Sequence, residues 1–223
     1  MFVKICGITR EDDALLAVAM GADAVGFIFA PSRRQIAPGK ARDIARRLPP
    51  EIVTVGVFRD EAPARVVDII NSTGLRAAQL HGHESAETSR YVRSRVPLVI
   101  KGFAAGDRAL ARAQDYGADA VLVDAAVPGS GQVFDWSLVE GRPDRRRLIL
   151  AGGLDPDNVT DAIRRVHPWG VDVASGVEDP RGEPGQKDAR KVKAFIAAAN
   201  AARPDDDGED PLVPYDWMQD DVS

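Results

Sequence analysis

Short unbroken apolar runs alternate along the chain with longer Ala- and Arg-rich stretches whose apolar residues recur at helical spacing. Continuous apolar runs of this length suit strands of a parallel sheet buried on both faces. They predict strands at Phe2–Cys6, Ala24–Phe29, Ile52–Phe58, Ala77–Leu80, Leu98–Lys101, Ala120–Asp124, Leu148–Leu150 and Val171–Val173. The amphipathic stretches predict helices at Arg10–Met20, Gly39–Leu48, Pro63–Thr73, Ser85–Ser94, Arg108–Tyr116, Trp136–Glu140, Asn158–Val166 and Asp188–Ala201. Eight strand–helix units spaced by about 24 residues is the count of an α/β (β/α)8 TIM barrel, a parallel eight-stranded barrel with outer helices.

An internal echo agrees with closure. Gly21-Ala22-Asp23-Ala24-Val25 returns as Gly117-Ala118-Asp119-Ala120-Val121, and Val3-Lys4 has a looser counterpart in Ile100-Lys101. Both offsets are close to half the barrel body, which sets unit one against unit five and unit two against unit six. The same pentapeptide is also a common local way to end a helix and enter a strand, so it bears on fold and not on substrate.

In such a barrel the chemistry gathers at the C-terminal ends of the strands. Strand one ends at the chain's one cysteine, Cys6, followed by Gly7. A free cysteine is often a small buried hydrophobe, so position alone leaves Cys6 open between packing and chemistry. Strand two leads into Arg33-Arg34, strand four ends in Gln79-Leu80-His81-Gly82, strand six ends at Asp124, and strand eight supplies Asp172. Asp124 reads either as a loop-capping carboxylate or as the proton-transfer partner of Cys6 across the mouth. The Gly152-Gly153 and Ser175-Gly176 turns follow strands seven and eight, where barrels of this kind bind phosphate through backbone N–H groups. A phosphorylated small molecule is therefore the expected substrate.

Composition and charge narrow this further. The 223 residues, 44% of them hydrophobic, suffice for one large domain. A single cysteine excludes an intrachain disulfide framework and fits a reducing, cytoplasmic setting. No basic leader precedes a long apolar run, so neither export nor a membrane is expected. Eight of the 34 acids lie at or beyond Asp205, where there is no Lys or Arg, so the chain before them is positive by about three charges, a sign that attracts small anions. No basic run interleaved with aromatics is present, and nucleic acid is not an expected partner. His81-Gly82-His83 lacks a third ligand nearby and is not a metal site.

Several segments together identify a relationship. Lys4-Ile5-Cys6-Gly7-Ile8-Thr9, Gly21-Ala22-Asp23-Ala24-Val25-Gly26-Phe27, Gln79-Leu80-His81-Gly82, Gly131-Gln132-Val133-Phe134-Asp135-Trp136, Leu150-Ala151-Gly152-Gly153-Leu154 and Val171-Asp172-Val173-Ala174-Ser175-Gly176-Val177-Glu178 closely resemble the phosphoribosylanthranilate isomerases of tryptophan biosynthesis. The resemblance covers nearly the whole body and leaves out the acidic tail. It implies an Amadori rearrangement without metal or cofactor, with Asp124 as general acid at the furanose ring oxygen and Cys6 as general base at C2′. A thiol suits that step with partial exposure and a positive neighbour, and Lys4, on the same strand face, is a supporting charge.

The resemblance also maps the anthranilate-carboxylate arginine to Arg34, with Arg33 as rival. It places a ribose hydroxyl on Asp172, puts Gln79 and His81 at the mouth, and assigns phosphate to Gly152, Gly153, Ser175 and Gly176. The chain departs from the family at Ala174, where a serine is common, and at Pro128-Gly129-Ser130-Gly131 in the sixth loop. A related isomerase of histidine biosynthesis would carry an aspartate in place of Cys6, and a non-catalytic phosphosugar-binding barrel would not need Cys6 with Asp124. The expected organisation is a catalytic barrel over residues 1–202 and a flexible acidic extension over 203–223, in which Tyr215 and Trp217 are the only hint of docking. A monomer is expected, with a homodimer as the alternative.

Overall fold

Side-chain direction alternates along each strand, and in this chain the alternation sorts residues between two separate cores. In β1 (Phe2–Cys6), Phe2 and Cys6 join one buried cluster while Val3 and Ile5 join another. The first cluster fills the inside of a barrel, and the second lies between the barrel and its helices. The computed structural model describes residues 1–125, 136 and 147–203.

The remaining strands are β2 (Ala24–Ile28), β3 (Val53–Phe58), β4 (Ala77–Leu80), β5 (Leu98–Ala104), β6 (Ala120–Asp124), β7 (Leu148–Leu150) and β8 (Gly170–Val173). All pair in parallel and in sequence order, and β8 closes on β1 through the register Lys4↔Asp172. The expected eight-stranded barrel is the observed one, with strand bounds displaced by a residue or so. β5 runs three residues beyond its predicted end because Gly102, Phe103 and Ala104 continue to pair with β6 as far as Asp124.

Helices α1 (Glu11–Ala19), α2 (Pro38–Ala45), α3 (Pro63–Thr73), α4 (Ala86–Arg93), α5 (Val159–Val166) and α6 (Ala189–Ala201) cover the outside. Their starts carry ordinary signals. Proline sits in the first turn of α2 and α3, the Ser85 hydroxyl caps α4 through Thr88 N, and the Asp188 carboxylate caps α6 through Arg190 N and Lys191 N. The segment expected as a helix over Arg108–Tyr116 is instead 3₁₀, broken at Arg112 (φ −120°, ψ 30°). Of the segment expected as a helix over Trp136–Glu140, only Trp136 is described, and the extension expected over 203–223 lies outside the described residues apart from Arg203.

The repeated pentapeptide has one structural job, performed twice. Asp23 Oδ2 accepts from Val3 N at 2.8 Å and Asp119 Oδ2 from Val99 N at 2.8 Å, each tying the start of the preceding strand to its own. Its looser counterpart does not survive. Lys4 lies on the inner face of β1, whereas Lys101 follows the inward Ile100 and faces outward, where it donates to Leu80 O, Gly82 O, Gly102 O and Glu84 Oε2. That buried pair secures the β4 loop, since Glu84 in turn accepts from Asp60 N and Gly82 N.

Candidate active site

Strand parity explains why the polar residues converge. Ala77 on β4, Ala120 and Leu122 on β6, and Cys6 on β1 belong to the interior cluster, so Gln79, Asp124 and Lys4 share its direction. Val171 and Val173 on β8 belong to the outer cluster, which sends Asp172 inward. Cys6 and Asp124 each end their strand, three strands apart around the ring, at the C-terminal rim.

The first group of contacts surrounds the thiol. Lys4 is completely buried, and its Nζ donates to Asp172 Oδ1 at 2.9 Å. Cys6 packs against the same lysine. A Cβ at Gly26 would lie 2.7 Å from Cys6 Sγ and 3.2 Å from Lys4 Cε, so the missing side chain on β2 makes room for both. Partial exposure of the thiol was expected, but Cys6 is only 5% exposed. Burial pushes its pKa up, Lys4 and Lys187 oppose this, and Asp172 adds to it. For Lys4 burial works against the ammonium, but Asp172 and Cys6 outweigh it and raise the pKa. Lys4 is thus a direct neighbour of the thiol. In the absence of substrate, Cys6 is expected to react with iodoacetamide at pH 7 at least about tenfold more slowly than in the urea-unfolded chain. Equal rates, read by mass spectrometry, would contradict the buried, protonated thiol.

The second group surrounds Asp124. Ala125 N donates to Asp124 Oδ1 at 2.7 Å, and His81 Nε2 lies 3.1 Å from Asp124 Oδ2. Gln79 Nε2 lies 2.7 Å from His81 Nδ1. With the Gln79 amide taken as donor to Nδ1, the ring proton sits on Nε2 and points at the aspartate. Gln79 and His81 therefore stand behind Asp124 in a chain, a connection that spacing alone did not reveal.

The third group is the pair of glycine turns. Gly152 and Gly153 have φ of 86° and 67°, in the left-handed region that favours glycine. A Cβ on Gly152 would run into Ala125 N and come within 2.7 Å of Asp124 Oδ1, so this turn packs directly on the aspartate. Ser175–Val177 forms a 3₁₀ turn in which Gly176 sits against the Leu154 carbonyl, bringing the two loops together. Asn158 Nδ2 holds the Gly153 carbonyl at 2.9 Å.

A fourth group lies in the loops after β2 and β8. Glu178 accepts from Arg34 Nε and, at 2.7 Å, from Arg33 Nη2, and lies 3.6 Å from Lys187 Nζ. The Arg34 side chain is 6% exposed and that of Arg33 60%, which separates two arginines that the sequence left as rivals. Glu178 and Lys187 were given no role in the sequence. Glu178 stood in a recognised segment but not at a strand end, and Lys187 lies in a loop with no pattern to mark it. Among the described residues no group of three or more His, Cys, Asp or Glu is placed to hold a metal ion.

The sequence profile of the N-(5'-phosphoribosyl)anthranilate (PRA) isomerase family matches residues 3–198. The chain belongs to the PRA isomerase family. A PRA isomerase from Desulforudis audaxviator is 51% identical over 207 residues, covering 90% of this chain and 98% of that protein. The crystal structure of a phosphoribosyl anthranilate isomerase from Thermus thermophilus superposes with a TM-score of 0.83 at 43% identity, covering 91% of this chain and all of that one. A further isomerase, solved in complex with reduced 1-(o-carboxyphenylamino)-1-deoxyribulose 5-phosphate, gives a TM-score of 0.78 at 44% identity over 90% of this chain and 99% of its own. Isomerisation of phosphoribosylanthranilate in tryptophan biosynthesis is the activity that membership of the PRA isomerase family carries, and the histidine-pathway alternative is not favoured.

Proposed function

We propose that this chain converts N-(5'-phosphoribosyl)anthranilate into 1-(o-carboxyphenylamino)-1-deoxyribulose 5-phosphate with Asp124 as general acid and Cys6 as general base. The observation that carries this reading is the placing of both groups, facing inward, on one rim of the barrel, each with its own supporting contacts. Asp124 gives a proton to the furanose ring oxygen, and the C1′–O bond opens to a Schiff base. The carboxylate left behind is held by Ala125 N–H and by the His81 ring that Gln79 orients. Cys6, protonated in the free chain, acts through its minor thiolate form, which the Lys4 ammonium favours; that thiolate removes the C2′ proton, and the resulting enolamine tautomerises to the ketone. One proton leaves Asp124 and one arrives at Cys6, so the two must be restored before the next turnover.

The remaining assignments belong to the same reading. The phosphate takes backbone N–H groups of the Gly152-Gly153 and Ser175-Gly176 turns, Asp172 faces a ribose hydroxyl from its bond to Lys4, and Arg34 meets the anthranilate carboxylate. The direct test follows the loss of phosphoribosylanthranilate fluorescence on adding the purified chain. Absence of turnover would sink the reading in favour of a binding barrel. Gly176→Ala probes the phosphate loops. Its Cβ would overlap the Leu154 carbonyl, and the forced shift is expected to lower stability by about 1–3 kcal/mol and to raise KM. An unchanged Tm and KM would show that the turn does not contact the substrate.

Within this reading the barrel covers residues 1–202, with 203–223 as a separate extension, and works in the cytoplasm. Among the described residues no helix is long and apolar enough to cross a membrane. We read it as a monomer. A Thermotoga maritima relative is described as dimeric and has also been solved as monomers, so sedimentation velocity on the full chain is the deciding measurement.

A further inference from the structure

Glu178 plays no part in the acid–base scheme, yet three cations converge on its buried carboxylate. Oε1 takes Arg34 Nε and lies 3.6 Å from Lys187 Nζ, while Oε2 takes Arg34 Nη2 at 3.3 Å and Arg33 Nη2 at 2.7 Å. Burial disfavours its charge, but the Arg34 hydrogen bond and the charges of Lys187, Arg34 and Arg33 outweigh this and hold the carboxyl below the ordinary range. Lys187, itself fully buried, donates to Ala174 O at 3.0 Å and so ties Glu178 to the β8 loop.

On the other side, Arg34 lies across Gly7. A Cβ there would come within 2.6 Å of Arg34 Cδ, and Gly7 has a φ of 76°, so only glycine leaves the arginine its place. The guanidinium is thus gripped along the edge formed by Nε and Nη2, a fork that fixes its plane. Its Nη1 makes no hydrogen bond to any described residue. Arg33, Arg34 and Lys187 outnumber Glu178, and even with Asp13, whose carboxyl faces the Lys187 backbone amide, the cluster stays positive. Surplus positive charge in a secluded cluster favours an anion at the open edge.

We propose that Glu178 is a positioning residue for carboxylate recognition, setting the Arg34 guanidinium so that its Nη1 edge meets the aryl carboxylate of the substrate. This role rests on the reading of Arg34 as the carboxylate-binding arginine. Lys187 anchors the positioning carboxylate, and Arg33 closes the cluster on the solvent side with a single bond. Glu178→Gln keeps the shape of the side chain, removes its charge and weakens the fork.

Steady-state kinetics on Glu178→Gln, Arg34→Ala and the double variant test this, with folding checked by Tm. Glu178→Gln is expected to raise KM about tenfold with kcat within about twofold of wild type. Arg34→Ala raises KM further, and adding Glu178→Gln to it changes nothing more. Inhibition by 1-phenylamino-1-deoxyribulose 5-phosphate, which lacks the carboxylate, stays as in wild type for every variant. A wild-type KM in Glu178→Gln, with KM raised in Arg34→Ala, overturns the role of Glu178 alone. A full Glu178→Gln effect in the Arg34→Ala background, or equal weakening of the carboxylate-free inhibitor, overturns it too. An unchanged KM in Arg34→Ala overturns the assignment of Arg34 and the role of Glu178 with it.

Discussion

Cys6→Ala and Asp124→Asn are each expected to lower kcat for phosphoribosylanthranilate by about 10²–10⁴-fold, the range a positioned acid or base contributes. KM should move little, because neither group is assigned to the phosphate or the aryl carboxylate. Cys6→Ser separates chemistry from packing. Serine refills the space that Gly26 leaves beside Lys4, but its hydroxyl is a far poorer base, so turnover stays low while stability returns toward wild type. Asp124→Asn keeps the shape of the side chain and one oxygen to accept from Ala125 N, removes the transferable proton, and turns its amide NH2 toward the His81 ring in place of the second carboxylate oxygen. Fluorescence-based kinetics read both effects. Wild-type rates in Cys6→Ala and in Asp124→Asn would end the acid–base assignment, while loss in one alone would leave a single-residue mechanism with water as the other partner.

Lys4→Met is expected to be the most destabilising of these changes. Methionine fills a similar volume, but Asp172 would remain buried at 8% exposure without its cation. Breaking a buried pair from one side costs about 3–5 kcal/mol, read as a lower urea midpoint at unchanged slope. Asp172→Leu in the same chain removes the stranded charge and should recover much of that loss, which an unrelated packing defect would not do. Recovery of stability should not bring back turnover. Without Lys4 the buried thiol loses the first of the charges that oppose its rise in pKa, and without Asp172 the ribose hydroxyl loses its partner, so the double variant is expected to fold well and isomerise poorly. Turnover near wild type in that variant would show that Lys4 serves the fold alone.

The two expectations draw on information of different origin. Short, largely apolar runs of three to seven residues marked every strand, because a strand covered by a barrel interior on one face and helices on the other has no exposed side to vary. The 3₁₀ stretch at Arg108–Tyr116 escaped notice, since its composition is helical and nothing local marks the break at Arg112. Lys4 and Lys101 look alike in the sequence, each following an isoleucine or valine on a strand. One strand begins its inward set on Phe2 and the other on Leu98, and this difference in phase sends one lysine into the barrel and the other behind it.

The order of strands and helices, the closed barrel and the set of strand-end residues that includes Cys6, Asp124 and the glycine turns were written in the sequence, because all depend on local periodicity and on a rim that collects strand ends. What each group touches was decided only in three dimensions. The thiol lies deeper than its position at a strand's exit suggested, Lys4 is shared between Cys6 and Asp172, Gln79 acts on Asp124 through His81, and Glu178 and Lys187 reach Arg34 from more than 140 residues away along the chain. Such contacts arise between strands and loops that are neighbours only after the ring closes. Burial and pairing between distant residues set the charges at the rim, and neither has a local signature in the sequence.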